Sequence, residues 1–358
     1  MADKCRELNR QRLRGRDGHT IANDGSVDSL NWNGQTATKH ENAVETDKPS
    51  RAYVRLMDVL ARYESIIDDY DAFLDACMRP LPTTVRVNTI KATVDRVVEA
   101  LDAEGVSATR RSWDAAVLEV DTAKPGNTWP YVHGWIHGQE EVSVIPPRVL
   151  DPQPGEVVWA AAAAPGSKAT QVAAQMDDTG LVIANDDNLG RLSALRGNAD
   201  RLGVTSMAVT NEDARFQTFE PFDVERVDRA LVDAPCTCEG TLRKSPDALE
   251  GAGPESSRHI ATVQRDILSR AIELTKPGGT VVYSTCTFAP EENEAVVDSV
   301  LDEGDAAVVP FDVPLDSSAG LTQWDGTSYT PTLERTKRFY PHQNDTGGFY
   351  VAKLEVTA

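Results

Sequence analysis

The chain has 358 residues, of which 40% are hydrophobic, and its 56 acidic residues outnumber its 36 lysines and arginines, giving a net charge of −20. A chain of this length can bury a large core, and we expect two domains. Phosphates repel so acidic a surface, which argues against nucleic-acid binding by net charge. The acid is spread along the chain, so we interpret it as a halophilic surface; any RNA binding would then rely on shape, stacking and local arginines.

The cysteines are odd in number and scattered, which predicts no disulfide framework and a reducing cytoplasmic location. They stand at Cys5, Cys77, Cys236, Cys238 and Cys286. The N-terminus is polar and lacks the pattern of a signal peptide. No apolar run is long enough to span a membrane, so we expect no membrane partner.

The first half of the chain predicts a polar tail and a small domain. Residues 1–49 are rich in Asn, Asp, Gly and Thr and are expected to be disordered. Apolar residues then recur at helical spacing between Val54 and Leu74. Alternation within Pro80 to Ile90 indicates a strand, followed by a helix over Thr93 to Leu101 and a strand over Val117 to Val120. We therefore predict an N-terminal α+β domain over residues 50–130.

Strands and helices alternate from residue 131 to residue 358. The predicted strands are Glu156 to Ala161, Leu181 to Ala184, Ser206 to Thr210, Arg229 to Val232, Thr280 to Ser284 and Gly348 to Val356. The predicted helices are Lys168 to Met176, Leu189 to Leu202, Ile260 to Leu274 and Glu291 to Leu301. This alternation is typical of an α/β domain built on a doubly wound, Rossmann-like sheet.

A loop of small residues follows the first strand of this sheet and opens a helix. It consists of Ala162, Ala163, Ala164, Pro165, Gly166, Ser167 and Lys168. Small residues let the backbone approach a ligand, and a helix N-terminus favours an anionic group. The loop is neither a dinucleotide G-x-G-x-x-G nor a full phosphate-binding Walker motif.

Two acids follow the next strands, Asp186 after the second and Asp213 after the third. An acid in the first position usually binds ribose hydroxyls, and one in the second can meet an adenine edge. Each alone would be an ordinary loop residue, and only the ordered series points to a ligand. The series indicates a nucleoside cofactor with an anionic tail and no pyrophosphate, which S-adenosylmethionine (SAM) would satisfy.

Two cysteine motifs follow two later strands, Asp233-Ala234-Pro235-Cys236 and Ser284-Thr285-Cys286. Residues just past the carboxyl ends of strands line the ligand crevice of an open α/β sheet. Two thiols and a carboxylate that converge on one crevice indicate covalent chemistry rather than packing.

Taken in order, the motifs resemble the Nol/Nop/Sun (RsmB-like) family of RNA 5-methylcytosine methyltransferases, in a haloarchaeal type. The resemblance covers about residues 53 to 356. Besides the segments above, it includes Arg86-Val87-Asn88-Thr89, Gly138-Gln139-Glu140, Ala184-Asn185-Asp186, Glu239-Gly240-Thr241 and Thr346-Gly347-Gly348-Phe349. It implies a class I SAM-dependent methyltransferase sheet with an N-terminal domain like those that recognise RNA, and a tRNA or, second, an rRNA substrate.

The resemblance also implies roles for individual residues. Cys286 would be the nucleophile on cytosine C6, and Cys236 would assist release of the product. Asp233 would bind the cytosine N3/N4 edge, and Lys168 would lie near the base. Residues 162–168, Asp186, Asp213 and Asp233 would form the cofactor site. We expect a monomer without a metal.

One departure from the family opens an alternative. Ala160 stands where the family usually has an acid. A catalytically weak or inactive RNA-binding or ribosome-assembly protein on the same fold is therefore a second hypothesis. A DNA cytosine methyltransferase is a third hypothesis. Such enzymes typically take their nucleophile from the Pro-Cys motif, and the Thr-Cys motif and the N-terminal domain of this chain argue against it.

Other candidate groups are weaker. Cys238 is expected to pack as a small residue, and a Cys236/Cys238 metal pair lacks a second Cys-x-x-Cys to complete four ligands. His133 and His137 are interpreted as loop histidines. Candidate RNA contacts, each with an ordinary surface role as the alternative, are Arg243, Lys244 and a basic-aromatic cluster made of Arg335, Lys337, Arg338 and Tyr340.

Overall fold

The computed structural model describes residues 51–358, with side chains from Leu56 onward. The predicted polar tail, residues 1–49, lies outside the described residues. Two helical segments open the described chain: α1 (Arg51–Leu60), continued by a 3-10 turn over Ala61–Ile66, and α2 (Tyr70–Cys77).

A small four-stranded sheet with one main helix follows these segments. Its elements are β1 (Thr84–Val87), α3 (Val94–Ala103), β2 (Ala108–Arg111), β3 (Asp114–Val120), the short α4 (Trp129–Val132) and β4 (Ile136–Gly138). The strands run in the order β2-β3-β1-β4 and are all antiparallel. Since β4 pairs with β1, this sheet ends at Gly138 and not at residue 130, where the predicted N-terminal domain ends.

The larger domain is built on a nine-stranded mixed sheet. Its elements begin with α5 (Ile145–Leu150), β5 (Val157–Ala160), α6 (Ser167–Gln175), β6 (Leu181–Asn185), α7 (Leu189–Leu202), β7 (Met207–Thr210) and β8 (Val227–Asp233). They continue with α8 (Pro254–Leu274), β9 (Thr275–Thr285), α9 (Glu294–Leu301), β10 (Ala306–Val308), β11 (Ser318–Ala319), the hairpin β12 (Gln323–Trp324) and β13 (Thr327–Ser328), β14 (Lys337–Phe339), α10 (Pro341–Asn344) and β15 (Phe349–Val356).

The strand order places the predicted cofactor loop, residues 162–168, and the two cysteine motifs at one edge of the sheet. The sheet runs β11-β14-β15-β9-β8-β5-β6-β7, with β10 on β15. Strands β9, β8, β5, β6 and β7 are parallel, and β15 is antiparallel to β9. Since β5, β8 and β9 are neighbours, their carboxyl ends open onto a common crevice. This is the class I SAM-dependent methyltransferase arrangement, as predicted.

The opening helical segments pack on the larger domain rather than on the small sheet. Tyr63 and Phe73 contact Phe288 edge-on, with ring centroids 6.0 Å and 5.3 Å apart. Phe73 also meets Tyr340. These rings share one buried cluster with Leu242 and Leu249. The segment from Leu56 to Met78 therefore braces the region just past β9.

The seam between the two domains is held by buried hydrogen bonds. Arg86 of β1 donates through Nη2 to Thr170 Oγ1 of α6 (3.2 Å) and through Nε to Gln139 (2.9 Å). Gln139 in turn donates to Gln171 of α6 at 2.8 Å. Asn88 donates to the carbonyl of Leu202 at the end of α7. Helix α6 is thereby tied to the small domain. Among residues 51–358, no helix combines the length and the apolar character needed to cross a membrane.

Candidate active site

A cavity of about 220 Å³ lies at the carboxyl ends of β5, β8 and β9. Its wall includes the cofactor loop, the second cysteine motif, and residues of the small domain's last strand. The predicted site residues on this wall are Ala162, Ala163, Ala164, Pro165, Ser167, Lys168, Asp233 and Cys286. Ala160 also lines it. The structure therefore brings the predicted methyl-donor loop and the predicted nucleophile to one space.

Gly166 gives the cofactor loop its tight turn into α6. Its φ is +106°, and a Cβ there would lie 2.8 Å from Leu195 Cδ1 of α7. No side chain caps the N-terminus of α6 at this residue. Because the first N–H groups of a helix lack partners within it, this terminus can receive a carboxylate.

Asp186 and Asp213, the two predicted cofactor acids, are engaged with arginines beside the cavity. Asp186 is buried, forms an ion pair with Arg191 at 3.1 Å, and accepts from the Ala164 backbone N–H. Asp213 is half-exposed and accepts a bidentate pair of bonds from Arg215, which lowers the pKa of the Asp213 carboxyl. Asp186 thus contacts the predicted loop, but neither Asp186 nor Asp213 is among the residues that line the cavity.

The two cysteines of the motifs are in contact at the cavity wall, which Cys286 lines and Cys236 does not. The Sγ atoms of Cys236 and Cys286 are 3.3 Å apart, and both residues are buried. The neighbouring Cys286 sulfur, together with burial, raises the pKa of Cys236 well above its ordinary value. Cys236 therefore keeps its proton and can donate its S–H to the Cys286 sulfur.

Lys168 and Asp233 form a partly buried ion pair at the cavity wall. Lys168 Nζ lies 3.1 Å from Asp233 Oδ2, and the Ser284 hydroxyl donates to Asp233 Oδ1 at 3.1 Å. The ammonium also lies 5.0 Å from the ring centroid of Phe349. Charge-assisted bonds of this kind are strong in a desolvated site, so they fix both groups at the cavity wall.

His137 is a cavity residue rather than a loop histidine, which corrects the sequence interpretation. It belongs to β4 and is buried. Arg201 donates to His137 Nδ1, and Nε2 lies 2.9 Å from Ser167 Oγ. Arginine can only donate, so the proton of the neutral imidazole sits on Nε2 and is given to Ser167. The Ser167 hydroxyl is left with its own proton to donate at the start of α6.

The two candidate phosphate contacts after the first cysteine motif, Arg243 and Lys244, differ in exposure. Arg243 lines the cavity, but its side chain is 1% exposed and its guanidinium is occupied by the carbonyls of Arg79, Pro80 and Thr346 and by Asp345, which argues against a phosphate contact. Lys244 is exposed and lines the cavity.

Two members of the basic-aromatic cluster, Arg338 and Tyr340, are buried and cannot face RNA, whereas Arg335 is exposed and Lys337 is half-buried. Arg338 is buried in an ion pair with Glu294 of α9, with Nε 2.6 Å from Oε1. Tyr340 is buried beneath α2, and Arg335 donates to the carbonyl of Val308. The cluster holds the last strands together.

Sequence reasoning missed a line of polar residues next to the two cysteines. They are Glu292, Thr237, Thr287 and Glu239, each in hydrogen-bond contact with the next, and all are buried except the half-buried Thr237. The available signal was the repeated Cys-Thr pair, in which a threonine directly follows each motif cysteine.

Three sulfurs gather at this point, which the sequence argument about a metal pair did not anticipate. The Sγ atoms of Cys236, Cys238 and Cys286 all lie within 4.8 Å of one another. Among the residues that the structure describes, these three cysteines are the only group of three or more potential metal ligands that lie this close together. A structural zinc site takes four ligands, so the group is one ligand short of that number.

Comparison with known proteins identifies the family of this site. The family model "16S rRNA methyltransferase RsmB/F" matches residues 147–355, and the model for the ferredoxin-like domain of RsmF/B-like methyltransferases matches residues 62–125. The chain belongs to the RsmB/F (Nol/Nop/Sun) family of RNA 5-methylcytosine methyltransferases. The resemblance found in the sequence is confirmed, while membership of a haloarchaeal type stays a prediction.

Relatives match over most of this chain. A tRNA (cytosine(49)-C(5))-methyltransferase of Pyrococcus abyssi is 36% identical over 300 residues, covering 83% of this chain and 94% of the relative. The ribosomal RNA small subunit methyltransferase F of Shewanella loihica is 38% identical over 293 residues. This chain covers only 58% of that second, longer protein.

Solved structures agree on the fold. A methyltransferase homologue from Pyrococcus horikoshii aligns over 86% of this chain and 100% of its own, with a TM-score of 0.73 and 30% identity. NSun6 from the same organism aligns over 87% of this chain with a TM-score of 0.69. At 21% identity, NSun6 supports the fold alone.

Proposed function

We propose that this enzyme transfers the methyl group of SAM to C5 of a cytosine in RNA through a covalent bond between Cys286 and cytosine C6. The observation that carries the proposal is the single cavity that joins the cofactor loop, the Lys168–Asp233 pair and Cys286. A methyl donor, a base-binding carboxylate and a nucleophile are the three elements that this chemistry needs.

We propose tRNA as the substrate, with rRNA second. The match to the tRNA methyltransferase of Pyrococcus abyssi covers 94% of that protein, and the match to the rRNA methyltransferase of Shewanella loihica covers 58% of it. The acidic chain would bind RNA through shape and local cations such as Lys244, with the small domain as the second contact.

The cofactor loop fits SAM. The uncapped N-terminus of α6 suits the carboxylate of the methionine moiety, and the Ser167 hydroxyl would add a donor there. The small side chains of residues 162–164 leave room for the backbone to approach. Asp186 would bind the ribose and Asp213 the adenine edge. Each acid would first have to exchange its bond to an arginine, Arg191 or Arg215, for a bond to the cofactor. SAM supplies an electrophilic methyl group on its sulfonium.

The residues of the chain would perform the other steps. Cytosine C5 is a poor nucleophile until the Cys286 thiolate adds at C6 and makes C5 enamine-like. Charge then develops at N3, where a proton donor is needed. An ionised Asp233 cannot donate, and Lys168, 3.1 Å away, supports a relay through this pair.

Release requires loss of the C5 proton and elimination of Cys286. Cys236 lies beside the nucleophile and holds its proton. It would give that proton to the Cys286 sulfur as the C6–S bond breaks, and its own sulfur would accept the C5 proton, which regenerates the thiol. The base must leave its stack to reach the cavity, at a cost of a few kcal/mol in a duplex. We place the enzyme in the cytoplasm as a monomer that works without a metal.

The second candidate is a weak or inactive RNA-binding or assembly protein. The observation that favours it is Ala160, which lines the cavity where the family has an acid. Calorimetry in concentrated KCl separates the two candidates. Absence of SAM binding with RNA binding intact would favour the second.

The test of the proposed function is transfer from labelled SAM to total tRNA and, separately, rRNA, with bisulfite sequencing to map the product. We expect transfer by the wild type and none by Cys286→Ala. Undiminished transfer by Cys286→Ala would overturn the nucleophile, and no transfer by folded wild type to either RNA would overturn the activity.

A further inference from the structure

Two buried carboxyl groups lie beneath the cysteine motifs, and the proposed chemistry uses neither. Glu239 follows the first motif, and Glu292 lies between the second motif and α9. Both residues are 0% exposed. Burial raises the pKa of Glu239, and it raises that of Glu292 to about 7. Buried acids without an adjoining cation need a structural or chemical reason.

The two carboxyls are joined by the threonines that follow the cysteines. Thr237 Oγ1 lies 2.6 Å from Glu292 Oε1 and 2.8 Å from Thr287 Oγ1. Thr287 Oγ1 lies 3.2 Å from Glu239 Oε2. A continuous line of oxygen contacts therefore runs Glu292–Thr237–Thr287–Glu239 and passes under both motifs.

The number of protons decides the state of this line. It contains three oxygen–oxygen contacts, and each needs one proton to be a hydrogen bond. The two threonine hydroxyls supply one proton each, and ionised carboxylates only accept. With both glutamates ionised, one contact would have no proton. The line is complete only when one carboxyl carries the third proton.

We propose that Glu292, Thr237, Thr287 and Glu239 form a proton-sharing clamp that positions the two cysteine motifs of the reaction proposed above. One proton resides on Glu292, with both hydroxyls pointing toward Glu239, or on Glu239, with both pointing toward Glu292. Moving between these states shifts three protons by one bond each and changes no net charge. The four are positioning residues, since they act through Cys236 and Cys286.

The clamp attaches the first motif at Thr237, directly after Cys236, while a bond from the Ala234 N–H to the Ser284 carbonyl attaches its start. Glu292 accepts from both the backbone N–H and the hydroxyl of Thr237, and Gln264 of α8 donates to Glu292 and to the carbonyl of Pro235. The second motif has further attachments: Gly240 N–H donates to the Cys286 carbonyl, and Asn293 donates to the Thr287 carbonyl. Loosening the clamp should therefore displace Cys236 more than Cys286.

The charged and titratable neighbours favour retention of the third proton. Glu292 faces Cys236, the Tyr283 ring and Glu239, all of which are neutral or negative. Glu239 accepts from the hydroxyl of Tyr63 at 2.6 Å, and the nearby Arg62 is paired with Glu291. Burial raises the pKa of Glu239, and the nearby Arg62 charge partly opposes this effect, so the shared proton is favoured on Glu292, where it offsets the repulsion between the two carboxyls.

The first test measures the cysteines themselves and needs neither RNA nor SAM. Thr237→Val and Thr287→Val each remove one hydroxyl and keep the shape. The measured quantity is the ratio of the iodoacetamide modification rates of Cys236 and Cys286, followed by mass spectrometry. We expect this ratio to be roughly 10-fold higher in each valine variant than in the wild type, because the first motif loosens. Thr237→Ser and Thr287→Ser should restore the wild-type ratio. Thr275→Val is the matched control, since it removes a buried hydroxyl bonded only to Ala271.

The second test is the pH profile of turnover. Glu292→Gln carries a permanent N–H donor in place of the shared proton. We expect wild-type kcat to fall as the pH rises, with an apparent pKa near 7 that is set by Glu292. This fall at alkaline pH should be absent from Glu292→Gln. The KM for SAM should be unchanged in both.

The outcomes separate the clamp from the enzyme activity. An unchanged alkylation ratio in both valine variants, or serine variants that behave like the valine ones, would overturn the clamp whatever the activity. A wild type that transfers no methyl group would overturn the proposed function, while a changed ratio would still support the clamp. The same alkaline limb in Glu292→Gln would remove the shared proton from the proposal.

Discussion

The sulfurs of Cys236 and Cys286 lie 3.3 Å apart, although the two residues are separated by fifty positions in the chain. They meet because β8 and β9 are adjacent parallel strands, with Asp233 paired to Ser284 at their ends. A base bonded to one thiol is therefore beside the other. Attack and release can then follow each other without movement of a domain.

Replacing Cys236 should separate these two steps. In Cys236→Ala we expect attack by Cys286 to continue and release to slow, so that a covalent protein–RNA adduct accumulates and turnover falls by roughly 10²- to 10⁴-fold. Denaturing gel electrophoresis with labelled RNA measures the adduct. Cys77→Ala removes a buried thiol of α2 and is the control. Wild-type turnover by Cys236→Ala would contradict the release role.

Loss of the Lys168 ammonium should impair chemistry more than binding. Lys168→Met leaves the Asp233 carboxylate without its cation and removes the proton donor of the relay. We expect kcat to fall by roughly 10²-fold or more. Steady-state kinetics with separate KM values for SAM and RNA measure the effect. Lys276→Met is the control, because it breaks a comparable but exposed ion pair with Asp228. Equal effects of the two substitutions would contradict the relay.

The backbone contact between Gly240 and Gly348 should not tolerate a methyl group. A Cβ on Gly240 would lie 2.3 Å from the carbonyl oxygen of Gly348, and the Gly240 N–H holds the Cys286 carbonyl. We expect Gly240→Ala to lower the free energy of unfolding by about 1–3 kcal/mol. Urea titration measures this.

A glycine of α7 provides the comparison for that substitution. Gly197 is exposed, and a Cβ there would meet nothing within 4 Å. Gly197→Ala should raise stability by about 0.4–1 kcal/mol, since alanine restricts the unfolded chain. If both alanine variants changed the free energy of unfolding in the same direction, the close approach at Gly240 would not explain the effect of Gly240→Ala.

His137 should make the folded state sensitive to acid. Burial, with Arg86 and Arg201 nearby, lowers the pKa of His137 from 6.5 to about 3. Below pH 6.5 the unfolded state therefore binds a proton that the folded state refuses, so stability is lost as the pH falls from about 6.5 toward 3. The loss attributable to this residue is about 3 kcal/mol at pH 4, and about 5 kcal/mol once His137 is protonated in both states.

The measurement compares unfolding free energies of the wild type and His137→Gln between pH 7 and pH 4. The difference between the two proteins should shift in favour of the variant as the pH falls. His259→Gln, at an exposed histidine of α8, is the control and should follow the wild type. Parallel curves for the wild type and His137→Gln would show that His137 titrates normally.

The convergence of the two cysteine motifs could be predicted because it depends on strand order alone. Alternating strands and helices fix a parallel sheet, and residues after neighbouring strands must then meet. The bounds of α7, Leu189–Leu202, are as predicted for the same reason, since a clear helical period ends at Gly203.

The basic residues could not be interpreted in this way. Arg338 pairs with Glu294, and Arg243 binds carbonyls of Arg79 and Pro80, which lie far away in the chain. A local run of cations looks the same whether its partners are phosphates or distant carbonyls and carboxylates. The burial of Glu239 and Glu292 was hidden likewise, because each glutamate alone is typical of a surface.

Arg86 gives the seam between the domains a consequence for ligand affinity. It is buried, and although burial lowers its pKa to about 10 it stays charged at neutral pH. Its bonds to Gln139 and Thr170 make the first strand of the small domain and the first turns of α6 move together. An RNA that shifts the small domain must then shift the helix that begins at the methyl-donor loop. We therefore expect the binding of RNA and of the methyl donor to be coupled, in which case thermodynamic linkage requires each to change the affinity of the other by the same factor.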